Sequence, residues 1–147
     1  PMTLSATPGH FISRLSLPAM AASVATARLH TRGLLERWRL PKLIDDAELV
    51  VSELVTNAIK AANNVPPQAR YPELYDKLEV VCLSICLSAV ELRIEVWDPH
   101  VEPPRRCQAD MEAEGGRGLL LVEYLCERWG TSRPPFGGKA VWAVITL

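Results

Sequence analysis

Hydrophobic and polar positions along this chain follow two periods, and the switches between them mark the elements. In "FISRLSLP" Phe11, Ser13, Leu15 and Leu17 alternate with Ile12, Arg14 and Ser16, a strand pattern that Pro18 closes. From Ala19 to about Arg39 an alanine-rich, proline-free run reads as a helix, with Pro41 ending it. A second helix follows from about Leu43 to Ala62. At roughly 100° per residue, Leu43, Ala47, Val50, Val51, Leu54, Ala58, Ala61 and Ala62 make one apolar stripe on it. Asn63 to Lys77, with Pro66, Pro67 and Pro72, reads as a long irregular loop. "KLEVVCLSICLS" and "VELRIEVWD" are two strand-like runs joined by a short Ser-Ala turn, and they predict a hairpin. Pro99 to Glu114 is irregular again. Gly115 to Gly118 then open a helix running through about Arg128, and "KAVWAVITL" is a final strand after the turn-forming "RPPFGG".

The order β-α-α-β-β-α-β-β does not alternate strand with helix, which argues against a doubly wound parallel sheet. It predicts an α+β fold, a two-layer α/β sandwich in which a mostly antiparallel, mixed sheet carries three helices on one face. A chain of 147 residues with 48% hydrophobic content buries one core and is too short for two ordinary domains. One unit over residues 8–147 is therefore expected. Pro1 ahead of Met2 looks like a tag remnant, so residues 1–7 are set aside as a disordered N-terminus.

Charge and cysteines narrow the function classes. A formal net charge of -1 offers no general attraction to polyanions, so direct nucleic-acid binding has no electrostatic footing. Cys82, Cys86, Cys107 and Cys126 form no CxxC pair, and Cys82 and Cys86 stand too far apart along one strand for a disulfide; buried, reduced thiols in a cytoplasmic protein are expected. No basic segment leads into an apolar run as in a signal peptide. The apolar stretch from Leu78 to Trp97 is interrupted by Glu79, Glu91, Arg93 and Glu95, so no membrane span is expected.

Candidate chemistry begins with "SELVTNAIKA". Asp46, Glu53, Asn57 and Lys60 fall along one edge of the apolar stripe, while Ser52 and Thr56 point to the opposite, solvent side. A polar helix edge with i,i+4 support is one reading of that edge. It does not account for Asn57, since asparagine lowers helix propensity without adding charge. The other reading aims a carboxylate and a neutral amide oxygen into one crevice, groups suited to handling a proton and a hydrated Mg²⁺ ion. Asp98 ends its strand with Pro99 directly behind it, so its carboxylate can leave the ladder. In "EGGRGLLLVEYL" Gly115, Gly116 and Gly118 open a helix, where free N–H groups and the helix dipole favour phosphate. Taken singly, Asp98 is a turn residue and the glycines are a hinge; together with Glu53 and Asn57 they describe a nucleotide site.

From Phe11 onward the chain resembles the GHKL, or Bergerat-fold, ATPases, in particular the small bacterial anti-sigma-factor serine/threonine kinases. "SELVTNA" resembles their N box, "VWDP" the first glycine-box region and "GGRGLLLV" the second, and "GGKAVWAVI" resembles how such domains finish. The resemblance implies ATP and Mg²⁺ as cofactors. By it, Glu53 is the general base toward an attacking hydroxyl and Asn57 the Mg²⁺ ligand, Asp98 accepts from the adenine amino group, and Gly116, Arg117, Gly118 and Leu119 lie at the phosphates. One departure stands out: where the family has a glycine two residues after its Asp, this chain has His100, and Pro99 lacks an N–H. The resemblance further implies an anti-anti-sigma-like antagonist protein or a sigma factor as partner, and dimers are common among such proteins. Arg28 and Arg32, one turn apart on the first helix, resemble a place where such kinases touch a regulatory partner, but a solvated helix face is the simpler reading. Tyr71 and Tyr75 stand in a loop longer than expected after an N box, surface decoration or a partner contact.

Two other signals carry less. "FGGKA" lacks the first glycine and the Ser/Thr of a P-loop and reads as a turn. His10, His30 and His100 have no metal-like spacing. The expected function is that of an ATP·Mg²⁺-dependent kinase of a Ser/Thr on a small antagonist protein, able to sequester a transcription factor. The rival is a non-catalytic interaction module whose ATP binding is degenerate or only structural.

Overall fold

A computed structural model describes residues 11–63, 79–100 and 114–147, and the backbone alone of residues 114–117. The chain runs β1 (Phe11–Pro18), α1 (Ala22–Arg37), a 3-10 turn (Pro41–Leu43), α2 (Ile44–Asn63), β2 (Val80–Leu87), β3 (Glu91–Asp98), α3 (Glu114–Leu125), β4 (Arg128–Ser132) and β5 (Lys139–Thr146). The five strands form one sheet in the order β1-β2-β3-β5-β4. Every pairing in it is antiparallel, so the sheet has no parallel pair among the described residues. The α+β, helix-on-sheet arrangement is as the order of elements predicts.

The alternation of β2 and β3 decides which face is covered. Leu83 pairs with Val96 and Ile85 with Ile94, and all four are buried with Val81 and Leu92. β5 adds Ala143 and Ile145 to the same face, and β1 adds Leu17. α2 lies on this face against β3, with α1 on one flank and α3 on the other. The opposite face carries Arg93, which pairs with Glu95 at 3.4 Å and lies 4.6 Å over the Trp142 ring. Gly130 leaves room for that ring, since a Cβ there would come within 2.7 Å of Trp142 Cζ2.

Several boundaries differ from the sequence pattern for local reasons. The first helix ends at Arg37, short of Pro41, because Arg39 turns left-handed at φ 60° and Leu40 N–H bonds back to Leu35 O at 2.9 Å. It begins at Ala22 because Ala19 N–H bonds to Glu79 O instead of entering the helix. Leu43 falls in the 3-10 turn and is half-buried, as is Ala61, whereas Ile44, Val55 and Ile59 are buried. The stripe of α2 is therefore wider than the pattern suggests, since α1 covers its second flank. The last helix stops at Leu125 rather than near Arg128, where Glu127 N–H bonds to Val144 O and the chain joins the sheet as β4. "FGGKA" is a turn as expected, with Gly137 at φ 106° and Gly138 at φ 73°, conformations that L side chains rarely adopt. A Cβ on Gly138 would also overlap the Asp98 carbonyl and the Trp97 ring.

Cys126 is buried, but Cys82 and Cys86 are only half-buried, because β2 places them on the uncovered face; all three are free thiols. No described helix is long and apolar enough to cross a membrane. Residues 1–7, His10, Cys107, and Tyr71 and Tyr75 of the expected loop lie outside the described residues.

Candidate functional site

α2 is the scaffold of the site. Its 20 residues carry Asp45 and Asp46 in the first turn, acids that suit a helix N-terminus, and its wide apolar face locks it onto the sheet. Glu53 and Asn57, one turn apart and both half-buried, lie on the edge that meets α3. Gly118 rests directly against Glu53: a Cβ at that position would overlap Glu53 Oε2 and sit 3.0 Å from its Cδ. A side chain there would have to displace the Glu53 carboxylate, so the close approach ties the position of that carboxylate to glycine at 118, independently of any freedom of φ. Asp46, on the same edge, adds its charge to the burial that pushes the Cys126 thiol up to about 11. The edge borders α3 and the segment just past it.

Gly116 and Arg117 lie in the first turn of α3, ahead of Gly118, and Leu119 is half-buried on the same helix. The Arg117 side chain lies outside the described residues. Ser52 and Thr56 do not face open solvent. Both are half-buried, and Ser52 Oγ is enclosed without a hydrogen-bond partner among the described residues, on the flank of α2 that turns toward α1.

Asp98 is the last residue of β3 and is 1% exposed. It continues the inward row of Leu92, Ile94 and Val96, so it faces the same side as α2. Its Oδ1 accepts the His100 N–H at 2.8 Å, a local turn that Pro99 allows, and its Oδ2 stands 3.9 Å from Lys139 Nζ. Burial pushes its carboxyl above the ordinary aspartate range, and the His100 N–H and the Lys139 charge oppose that shift. The pattern of residues singled out Asp98 but missed Lys139. A signal was present: in Lys139, Val141, Ala143 and Ile145 the lysine holds an inward position of β5.

A second charged cluster lies on the other flank. Arg32 donates from Nε to Glu48 Oε1 at 2.8 Å and from a terminal nitrogen to Oε2 at 3.2 Å, and Arg28 stands 3.9 Å from Oε2. The Arg32 guanidinium holds the Glu48 carboxyl below the usual range against the effect of burial. Arg28 and Arg32 are therefore tied to α2 as well as half-exposed. Burial lowers His30, whose Nε2 lies 2.9 Å from Ser13 Oγ, with Arg37 adding to the shift. No cluster of His, Cys, Asp and Glu able to hold a metal ion by itself occurs among the described residues.

A helix edge with a carboxylate and an amide, a helix pressed on that carboxylate at Gly118 and an inward aspartate at a strand end lie on the helix-covered side of one antiparallel sheet, in an α+β domain. Residues 17–145 match the model of the histidine kinase-like ATPase domain, and the chain belongs to that family. It is similar to the serine-protein kinase RsbW of Staphylococcus aureus, at 33% identity over 82% of this chain and 79% of that protein. The protein of that name from strain JH9 is 34% identical over 77% of this chain and 74% of its own length.

Proposed function

We propose that this protein is an ATP·Mg²⁺-binding regulatory kinase that phosphorylates a serine or threonine of a small antagonist protein. The observation that carries the reading is Gly118 against Glu53, which joins the acid of α2 to the glycine-opened start of α3. Membership in an ATPase family and the likeness to serine-protein kinases support it.

The residues present suit the group. Gly118 leaves its space to the Glu53 carboxylate, Asn57 offers a neutral oxygen beside it, and Asp98 Oδ2 has no hydrogen bond among the described residues. ATP supplies the phosphoryl group, and Mg²⁺ neutralises its charge. In this reading Asn57 would hold the metal, and the first turn of α3 would bring Gly116, Arg117, Gly118 and Leu119 to the phosphates, with free N–H groups only at its start. Asp98 accepts from the amino group of the base. Glu53 would take the proton of the attacking hydroxyl, with ATP supplying the γ-phosphoryl group and ADP as the leaving group. Positioning and charge neutralisation supply most of the rate in such transfers, and a general base contributes about 10²–10⁴-fold. The partner, by likeness to anti-sigma-factor kinases, is an anti-anti-sigma-like protein, a sigma factor or both, and residues 8–147 act as one unit in the cytoplasm.

His100 favours a second reading, a non-catalytic interaction module with degenerate or only structural ATP binding. Its N–H already occupies Asp98 Oδ1, and a side chain stands where backbone alone would give a base more room. Calorimetric titration with ATP, with and without Mg²⁺, separates the two readings. Saturable heat is expected, and none at millimolar nucleotide removes the kinase. Glu53→Ala should then lose transfer by at least about 10²-fold while keeping ATP binding. Asn57→Ala should erase the Mg²⁺ dependence of binding, and an unchanged Mg²⁺ response takes Asn57 out of the metal site.

A further inference from the structure

β3 and β5 pair with Asp98 directly opposite Lys139, so the two side chains leave the sheet on the same side. Lys139 is 6% exposed and Asp98 1%. The Nζ to Oδ2 separation of 3.9 Å is an ion pair but lies beyond hydrogen-bond reach. Among the described residues Lys139 Nζ has no other charged partner and no hydrogen bond, although an ammonium carries three donors. The lysine is buried as a residue but its Nζ is not fully enclosed, so a ligand atom that accepts from it can reach it. Asp98 is in the complementary condition: Oδ1 is held by the His100 N–H at 2.8 Å, while Oδ2, on the lysine side, accepts no hydrogen bond among the described residues.

The pair therefore presents one acceptor and one donor side by side on the helix-covered side of the sheet, at the end of β3. Adenine carries the matching pattern on adjacent atoms, an amino group that donates and a ring nitrogen, N1, that accepts. Guanine presents a carbonyl oxygen at the first of these places and two N–H donors next to it. Such an edge calls for both carboxylate oxygens, one of which His100 already occupies. We infer that Lys139 is a specificity-determining residue of the base pocket, donating to adenine N1 beside the amino group that Asp98 accepts from. The inference rests on the reading of Asp98 as the base contact, and it adds a second reader from a different strand.

The alternative is that Lys139 only neutralises Asp98. Calorimetry on the full chain, wild type and Lys139→Met, with ATP, 1-deaza-ATP (a carbon in place of N1) and GTP, decides between them. The wild type should bind 1-deaza-ATP about tenfold or more weaker than ATP, the loss expected for a charge-assisted hydrogen bond, and GTP weaker still. Lys139→Met should bind ATP and 1-deaza-ATP within about twofold of each other. Equal binding of ATP and 1-deaza-ATP by the wild type overturns the inference, as does an undiminished preference in Lys139→Met or equal affinity for GTP. The wild-type ratio decides the matter even if the variant does not fold. A wild type that binds none of the three nucleotides removes the nucleotide site as a whole, an outcome distinct from loss of the N1 contact alone.

Discussion

At the residue scale, single atoms define the site. Gly118 carries no side chain because Glu53 Oε2 fills the space a Cβ would need. Gly118→Ala should leave the melting temperature nearly unchanged, since alanine is the better helix former by about 1 kcal/mol and offsets the local crowding. Phosphoryl transfer should fall about 10–100-fold as the carboxylate is pushed off its position, with transfer and thermal melting measured on one preparation. Equal loss of stability and transfer would instead make Gly118 a packing residue. Glu48 yields a pH-dependent test. Its folded carboxyl titrates below the ordinary value because of Arg32, so its contribution is complete above about pH 4.3 and fades as pH falls through the lower folded value. Glu48→Gln should be less stable than wild type by about 1–2 kcal/mol at pH 7, a figure kept small because Arg32 is half-exposed. Urea unfolding should show that gap closing below pH 4, and a gap that stays constant with pH refutes the ionic origin.

At the scale of elements, the connection between α1 and α2 stores a local cost. Arg39 adopts φ 60° so that Leu40 can close the helix end on Leu35, and a β-carbon disfavours that conformation. Arg39→Gly should stabilise the fold by about 0.5–1 kcal/mol, a rise of roughly 2–4 °C in melting temperature; a drop would mean that the Arg39 side chain contributes more than its backbone costs. α2 illustrates what periodicity can and cannot tell. Its inward stripe and the edge holding Glu53 and Asn57 follow from 3.6 residues per turn. The burial of Glu48, Val55 and Ile59 does not, because α1 covers that flank, and where α1 lies is a tertiary matter. The same covering half-buries Ser52 and Thr56, which a lone amphipathic helix would turn to water.

At the scale of the molecule, β2, β3 and β5 are each flanked by two strands, while β1 and β4 are edges. β3 also bears α2, so amide hydrogen exchange should be slowest at Leu92, Ile94 and Val96 and fastest along the short β4. Exchange in β3 as fast as in β4 would contradict the sheet order. Protection at the start of α3 should rise on adding ATP if that turn holds phosphate.

Local chemistry in the chain was enough to place the three helices and the strands β1, β2, β3 and β5, the helix-on-sheet architecture, and Glu53 and Asn57 on one helix edge, but it gave no residues to β4, whose Arg128 the helix pattern absorbed. Each of these depends on residues near one another in sequence, where period and turn chemistry act. Tertiary structure alone decided that Gly118 meets Glu53, that Lys139 stands opposite Asp98, and that Glu48 receives Arg32. Those contacts join residues on separate elements through strand register and helix packing, which depend on how the whole core closes.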